Sequence, residues 1–139
     1  KINELKQSTS LASQKPVQFI IQNFLENRAR IKREYVKKTV VPTYKKRRDA
    51  MKRALEEYLP DANFSVPHGA FYFFPNMSAY TKDDEKFADD LFKKKKVVVI
   101  PGRFFGSKGR KHVRMTYVSE TEDRINQGVK KIAEFVGAR

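Results

Sequence analysis

Cysteine is missing from the whole of the 139 residues. That excludes disulfides, thiolate metal sites and thiol nucleophiles, and it fits a reducing, cytoplasmic setting. No apolar stretch approaches the ~18 residues of a membrane-spanning helix. The start, Lys1-Ile2-Asn3, shows neither a signal-peptide pattern nor a Met, so the chain is expected to continue something upstream. Histidine is reduced to His68 and His112, and no acidic pair stands at ligand spacing from either. No metal site is expected. Neither His has a candidate nucleophile beside it, which leaves a hydrolase triad without support. Gly102, Gly106 and Gly109 do not fit G-x-G-x-x-G, and no Gly-Lys-Ser/Thr follows at phosphate-loop spacing.

What the chain does contain is aromatic and basic. With 11 Phe, 6 Tyr and 40% hydrophobic residues it can build a real core, as one domain over residues 1–139. A formal charge of +14 raises a nucleic-acid or acidic-membrane reading. The charge is uneven. Arg28 to Arg53 hold 12 Lys/Arg against 2 Asp/Glu, and Lys93 to Lys111 hold 8 against none. Elsewhere the signs balance, as on solvated helix faces with snorkelling stems. The aromatic strand His68-Gly-Ala-Phe-Tyr-Phe-Phe74 fails the RNA-binding pattern. Ala70 takes the place of its first aromatic and Phe71 that of its small residue. A basic nucleic-acid-binding module therefore stands as an alternative with charge behind it and no motif. A stand-alone, non-catalytic interaction domain is a second alternative.

The periodicities give an order of elements. Val17, Ile20, Ile21, Phe24, Ile31 and Tyr35 recur at helical spacing behind Pro16, which suits a first helical turn. Pro42 is expected to break or kink that helix. A second helix, striped by Tyr44, Met51, Leu55 and Leu59, runs to Pro60-Asp61. "ANFSV" and "AFYFF" read as strands around a Pro-His-Gly turn. Thr81 to Asp84 open a helix in capping-box style, with Phe87, Leu91 and Phe92 facing inward. The acidic run 83–90 reads as a helix start complementing the dipole, with a solvated face. "VVVI" reads as a buried strand and "HVRMTYV" as another. Ser119-x-x-Glu122 is a second capping box, Ile125, Val129, Ile132 and Val136 keep helical spacing, and Gly137 sits at the C-cap. The expected fold is α/β (α+β): two long N-terminal helices, then a small β-β-α-β-β-α sheet layer with helices packed on it.

Arg114 lies inside the penultimate strand. His112, Arg114 and Thr116 share one face, and Val113, Met115 and Tyr117 share the other, which is core. Two readings of Arg114 stand. It is a solvated strand residue, or it is a carboxylate clamp, since a guanidinium stays charged and meets a carboxylate through two parallel hydrogen bonds. The glycine loop before it is likewise either a turn between neighbouring strands or a close backbone approach to a ligand.

Four stretches, taken in order, resemble a known family. They are Tyr44 to Asp49 (YKKRRD), Pro67 to Pro75 (PHGAFYFFP), Val97 to Gly106 (VVVIPGRFFG), and Val113-Arg114-Met115-Thr116-Tyr117 followed by the capped last helix. They are similar to the Y-x-x-R-R-D, P-x-G-A-F-Y-x-F, V-x-V-x-P-G-x-x-F-G and V-R-x-S/T stretches of class I/II pyridoxal-phosphate aminotransferases, fold type I, in their C-terminal small domain. Aspartate aminotransferase and its broad-specificity relatives give the nearest pattern. The resemblance implies a role for Arg114, which in the family binds the substrate's α-carboxylate. It implies that Phe104, Phe105 and Gly106 border the substrate. It also implies that Ser8-Thr9-Ser10 approach the neighbouring subunit's active site in a homodimer, although Leu11-Ala12 stand here where the family has Asn-Pro.

The same resemblance shows what is missing. The family's Schiff-base lysine follows a Ser-x-x-Lys or Ser-Lys context, and none of the 19 lysines has that context with its flanks. Ser107-Lys108-Gly109-Arg110 is a decoy, lying past the point where that lysine belongs. The implied picture is the small domain of an enzyme that moves an amino group between an amino acid and a 2-oxo acid. Pyridoxal phosphate would bind in a missing N-terminal large domain, and this chain would be inactive alone.

Overall fold

Pro16 does stand in the first turn of the first helix, α1, Lys15–Glu26. The computed structural model describes residue 4 and residues 14–138. By its internal contacts the chain divides into two units, Lys1–Pro42 and Thr43–Arg139. Ser8, Thr9 and Ser10 lie outside the described residues.

In the first unit α1 ends at Asn27, whose backbone N–H reaches Asn23 O. A short helix α2, Arg28–Ile31, and a π-helical segment, Lys32–Val40, follow. The apolar stripe of α1 is present but open: Val17, Phe19, Ile20, Ile21, Phe24 and Leu25 are 45–69% exposed. At Pro42 the chain changes register rather than leaving the helical run. Pro42 is the second residue of α3, Val41–Tyr58. The reason is local. Proline lacks an N–H and its ring collides with the carbonyl four residues back. The segment before it runs in the wider i→i−5 register, seen in the Val41 N–H bonding back to Val36 O. Pro42 then falls in the first turn of a new α-register, where no donor is needed.

The second unit holds the core. Ala50, Met51, Ala54 and Leu55 of α3 are buried, and so is Leu59 just beyond it. "ANFSV" is not a strand. It makes one antiparallel bridge, Asn63 with Asn76, and lays Phe64 edge-on against Phe73 at 5.6 Å between ring centres. The next strand, β1, is only Tyr72–Phe73. Ala70 before it is left-handed (φ 60°), and Pro75 after it has no N–H to give a ladder. Helix α4, Asp84–Lys95, leads to β2, Ile100–Pro101. β3 is Val113–Thr116 and helix α5 is Glu122–Val136. The expected run Val97–Val99 is no strand, and Val98 is 69% exposed rather than buried. The sheet is three-stranded in the order β1-β3-β2. Both pairings are antiparallel, with Tyr72 opposite Thr116 and Ile100 opposite Arg114.

The strand β3 alternates as read. Val113, Met115 and Tyr117 are buried with Phe73, Leu91, Ile125, Val129 and Ile132, which fixes Arg114 on the opposite face. The overall class, helices with a small antiparallel sheet, is the α+β arrangement expected. The caps are displaced. Asp83 caps α4 through its carboxylate, accepting from Glu85 N and Lys86 N, while Thr81 makes its own turn with Asp83. Thr121 caps α5 by accepting from Arg124 N, so Ser119 and Glu122 form no capping box. Both are better placed for a hydrogen bond to N2 or N3 than the residues two positions earlier. Gly137 closes α5 in the left-handed conformation, φ 71°. Phe92 faces out, 50% exposed, with the Lys96 ammonium 5.5 Å from its ring centre.

Candidate functional site

The exposed face of β3 carries the site. Tyr72 of β1 is paired across the ladder with Thr116, next to Arg114 on the same face. The Arg114 guanidinium carbon lies 4.4 Å from the Tyr72 ring centre and 4.6 Å from that of Phe105. Phe105 meets Phe74 edge-on at 5.8 Å, and Phe74 stacks on His112 at 5.0 Å and 15°. Tyr72, Phe74, Phe105, His112 and Arg114 thus form one aromatic and cationic row. Electrostatic attraction between a guanidinium and ring faces holds the fork in place without neutralising it.

No hydrogen bond or ion pair occupies the Arg114 fork among the described residues. The side chain is half-buried. It lines a cleft of about 640 Å³ with Tyr72, Ile100, Thr116, Gln127 and Gly128. A permanent cation with free, coplanar N–H donors in a concavity is suited to a carboxylate. Among the described residues no buried side-chain polar atom lacks a partner, and no cluster of His, Asp and Glu could hold a metal ion.

The loop that brings Phe105 to Arg114 is built on a contact between two glycines. Gly102 opens a 3-10 turn, Gly102–Phe105, and Gly109 closes another, Ser107–Gly109. A Cβ on Gly102 would stand 2.1 Å from Gly109 O, and one on Gly109 would stand 2.0 Å from Gly102 O. The close approach is therefore of backbone to backbone, at the neck of the turn joining β2 and β3. Gly106 lies at the junction of the two turns with φ 114°. Phe104 is 64% exposed and makes no ring contact to Arg114, so of the two phenylalanines only Phe105 joins the row.

The neck is closed from below by a carboxylate that the sequence hides. Asp84, expected on a solvated face, is 1% exposed. Its Oδ2 accepts from the Arg103 backbone N–H at 2.9 Å, and its Oδ1 from Arg103 Nε at 3.1 Å and from Lys111 N–H at 3.3 Å. Burial pushes its pKa up, but the hydrogen bonds from the Arg103 side chain and from the Arg103 and Lys111 backbone outweigh it, and the carboxyl sits at about 2. Asp83 and Glu85 complete the shell around Arg103, the latter at 2.9 Å. The signal for this anchor is the lone Arg in Pro-Gly-Arg-Phe-Phe-Gly, in a stretch with no acid of its own.

The other motif residues brace the same layer. Tyr44 meets Phe71 edge-on at 5.7 Å, and Arg47 donates to Val118 O. The Tyr117 hydroxyl donates to Ala70 O at 2.8 Å. The Tyr-Lys-Lys-Arg-Arg-Asp stretch, the aromatic strand and the Val-Arg-Met-Thr strand thus touch one another in order. The family model for aminotransferases of class I and II matches residues 3–132.

The chain belongs to the class I and II aminotransferases.

An aspartate aminotransferase of Pyrococcus horikoshii is 40% identical over 82 residues, 59% of this chain and 21% of its own length. A (5-formylfuran-3-yl)methyl phosphate transaminase of Methanocaldococcus jannaschii is 38% identical over 90 residues, 63% of this chain and 23% of its own. The crystal structure of an archaeal alanine:glyoxylate aminotransferase superposes on 95% of this chain and 32% of its own, with TM-score 0.80 and 27% identity. The chain thus spans between a fifth and a third of the aminotransferases it matches. The family is one that works through pyridoxal phosphate. The described residues do not form a seat for that group. The bare backbones of Gly102 and Gly109 face each other and leave no open cradle between them. Lys108, the lysine that directly follows a serine, is exposed in the turn at 107–109. What this segment offers is a cation, Arg114, with no acid of the described residues upon it. No described helix is long and apolar enough to cross a membrane.

Proposed function

We propose that residues 1–139 are the substrate-closing small domain of a pyridoxal-phosphate aminotransferase, and that Arg114 seats the α-carboxylate of the substrate. The observation that carries the reading is a guanidinium set against two rings, lining a cleft, with no carboxylate of the described chain upon it. A structural arginine of this burial ordinarily finds an acid within the fold, as Arg103 does. The substrate pair is an amino acid such as aspartate and a 2-oxo acid. Phe104, Phe105 and Gly106 border the substrate. The chain alone is inactive because the Schiff-base lysine belongs to the large domain. The complete enzyme is a cytoplasmic homodimer, in which Ser8-Thr9-Ser10 reach toward the neighbouring active site.

The chemistry assigned to Arg114 is positional. A fork that meets both carboxylate oxygens fixes the orientation of the amino acid, and so which bond at Cα is presented for reaction. Arg114→Lys keeps the charge and loses the paired geometry. A charge-assisted hydrogen bond contributes about 1.5–3 kcal/mol, so kcat/KM of the complete enzyme should fall about 10- to 100-fold. Steady-state kinetics of the two forms with an amino acid substrate make the test. Unchanged kcat/KM would end the assignment.

A further inference from the structure

Phe105 is poorly held by packing. It is 48% exposed, and its ring contacts are the edge of Phe74 and the Arg114 guanidinium. Its position is inherited from Arg103, two residues earlier in the same 3-10 turn, whose carbonyl accepts the Gly106 N–H at 3.2 Å. Arg103 is fixed through both its backbone and its side chain. Its N–H, Nε and a terminal nitrogen all reach Asp84, and its other terminal nitrogen reaches Glu85. Asp84 also takes the N–H of Lys111, at the far end of the loop. One buried carboxylate therefore grips both ends of the segment that carries Phe105.

We propose that Asp84 and Arg103 are positioning residues: by clamping the β2–β3 loop they hold the Phe105 ring against Arg114 and so aim its free N–H groups at the incoming carboxylate. The inference rests on the reading of Arg114 as a carboxylate seat. It adds two residues that touch no substrate and act through Phe105. A clamp of this kind is electrostatic and buried, so it holds the ring in a loop where apolar contact is too sparse to do so.

The test reads the loop and the reaction separately. In the full 139-residue chain, the Arg114 Hε proton should be shifted upfield by the two rings, and Phe105→Leu should remove the Phe105 share of that shift. Arg103→Gln and Asp84→Asn should remove the same share. Asp84→Asn alters a buried ion, so Arg103→Gln, whose side chain is 32% exposed, is the variant that keeps the test decisive if the first fails to fold. In the complete enzyme, Arg103→Gln should raise KM for the amino acid about 3- to 10-fold with kcat changed less than about 2-fold. Arg103→Gln combined with Phe105→Leu should be no worse than Phe105→Leu alone. An unchanged Hε shift in a folded Arg103→Gln chain overturns the positioning role, and so do losses in KM that add in the double variant. A lost shift with an unchanged KM keeps the clamp and removes the carboxylate reading of Arg114 instead.

Discussion

Arg103 and Arg114 stand at the two ends of one excursion of the chain, and they are handled in opposite ways. Arg103 is met by Asp83, Asp84 and Glu85 from the start of α4, and all three of its guanidinium nitrogens are engaged by these acids. Arg114 is met by two aromatic rings and by no acid among the described residues. The same side chain thus serves two purposes within one layer. Where the partner is a carboxylate of the fold, the cation is consumed in building the loop. Where the partner is an aromatic face, the cation is oriented and left available. A surplus of positive charge in the sequence says nothing by itself about which outcome a given arginine has.

The contrast can be broken at the neck first. Gly102→Ala places a Cβ against two backbone carbonyl oxygens, at 2.1 Å from Gly109 O and 2.7 Å from His112 O. Backbone cannot swing aside as a side chain can, so the loss should reach about 3 kcal/mol or more in urea unfolding. A wild-type midpoint would show that the two turns do not need their contact. Next comes the Arg103 side of the comparison. The Asp84 carboxyl lies at about 2 when folded, below an ordinary value of 3.8. Its ionised form therefore favours the folded chain above about pH 4, and that contribution, on the order of 2 kcal/mol, is lost as pH falls from about 4 toward 2. Urea midpoints measured at about pH 5 and about pH 2.5 should show the drop in the wild type and a smaller one in Asp84→Asn. The smallest effect tests burial against distance. Lys86 pairs with Asp90 at 2.7 Å, as short a contact as those of the anchor, yet the Lys86 side chain is 72% exposed and neither partner is buried as Asp84 is. Lys86→Gln should leave the midpoint unmoved; a clear loss would mean that length, rather than burial, decides which pairs matter.

Much of the site was legible in the sequence, and the reason is strand alternation. Once Val113, Met115 and Tyr117 are read as core, Arg114 has no choice of face. The resemblance pointed to Phe104 and Phe105 alike, since nothing in the spacing of a loop says which of two adjacent phenylalanines turns toward Arg114. Tyr72 is set on the Arg114 face by its register against Thr116, which the strand's own alternation does not reveal. Asp84 was hidden because an acid at a helix start already has a sufficient local explanation in the dipole. Its true partner lies across the fold. In the fold itself, Pro42 marks an interruption whose form the sequence did not show: a π-register ahead of it and a new α-register from Val41. Val97–Val99 misled because three β-branched residues satisfy the propensity of a strand without having a neighbour to pair with. The caps at Asp83 and Thr121 each fell two residues past the expected Thr81 and Ser119, within the usual uncertainty of reading a helix end from side chains alone.

The buried carboxylate that grips both Arg103 and Lys111 has a mechanical corollary. The loop has its two feet pinned to a single peg, so any motion of one foot relative to the other would have to break a hydrogen bond to Asp84.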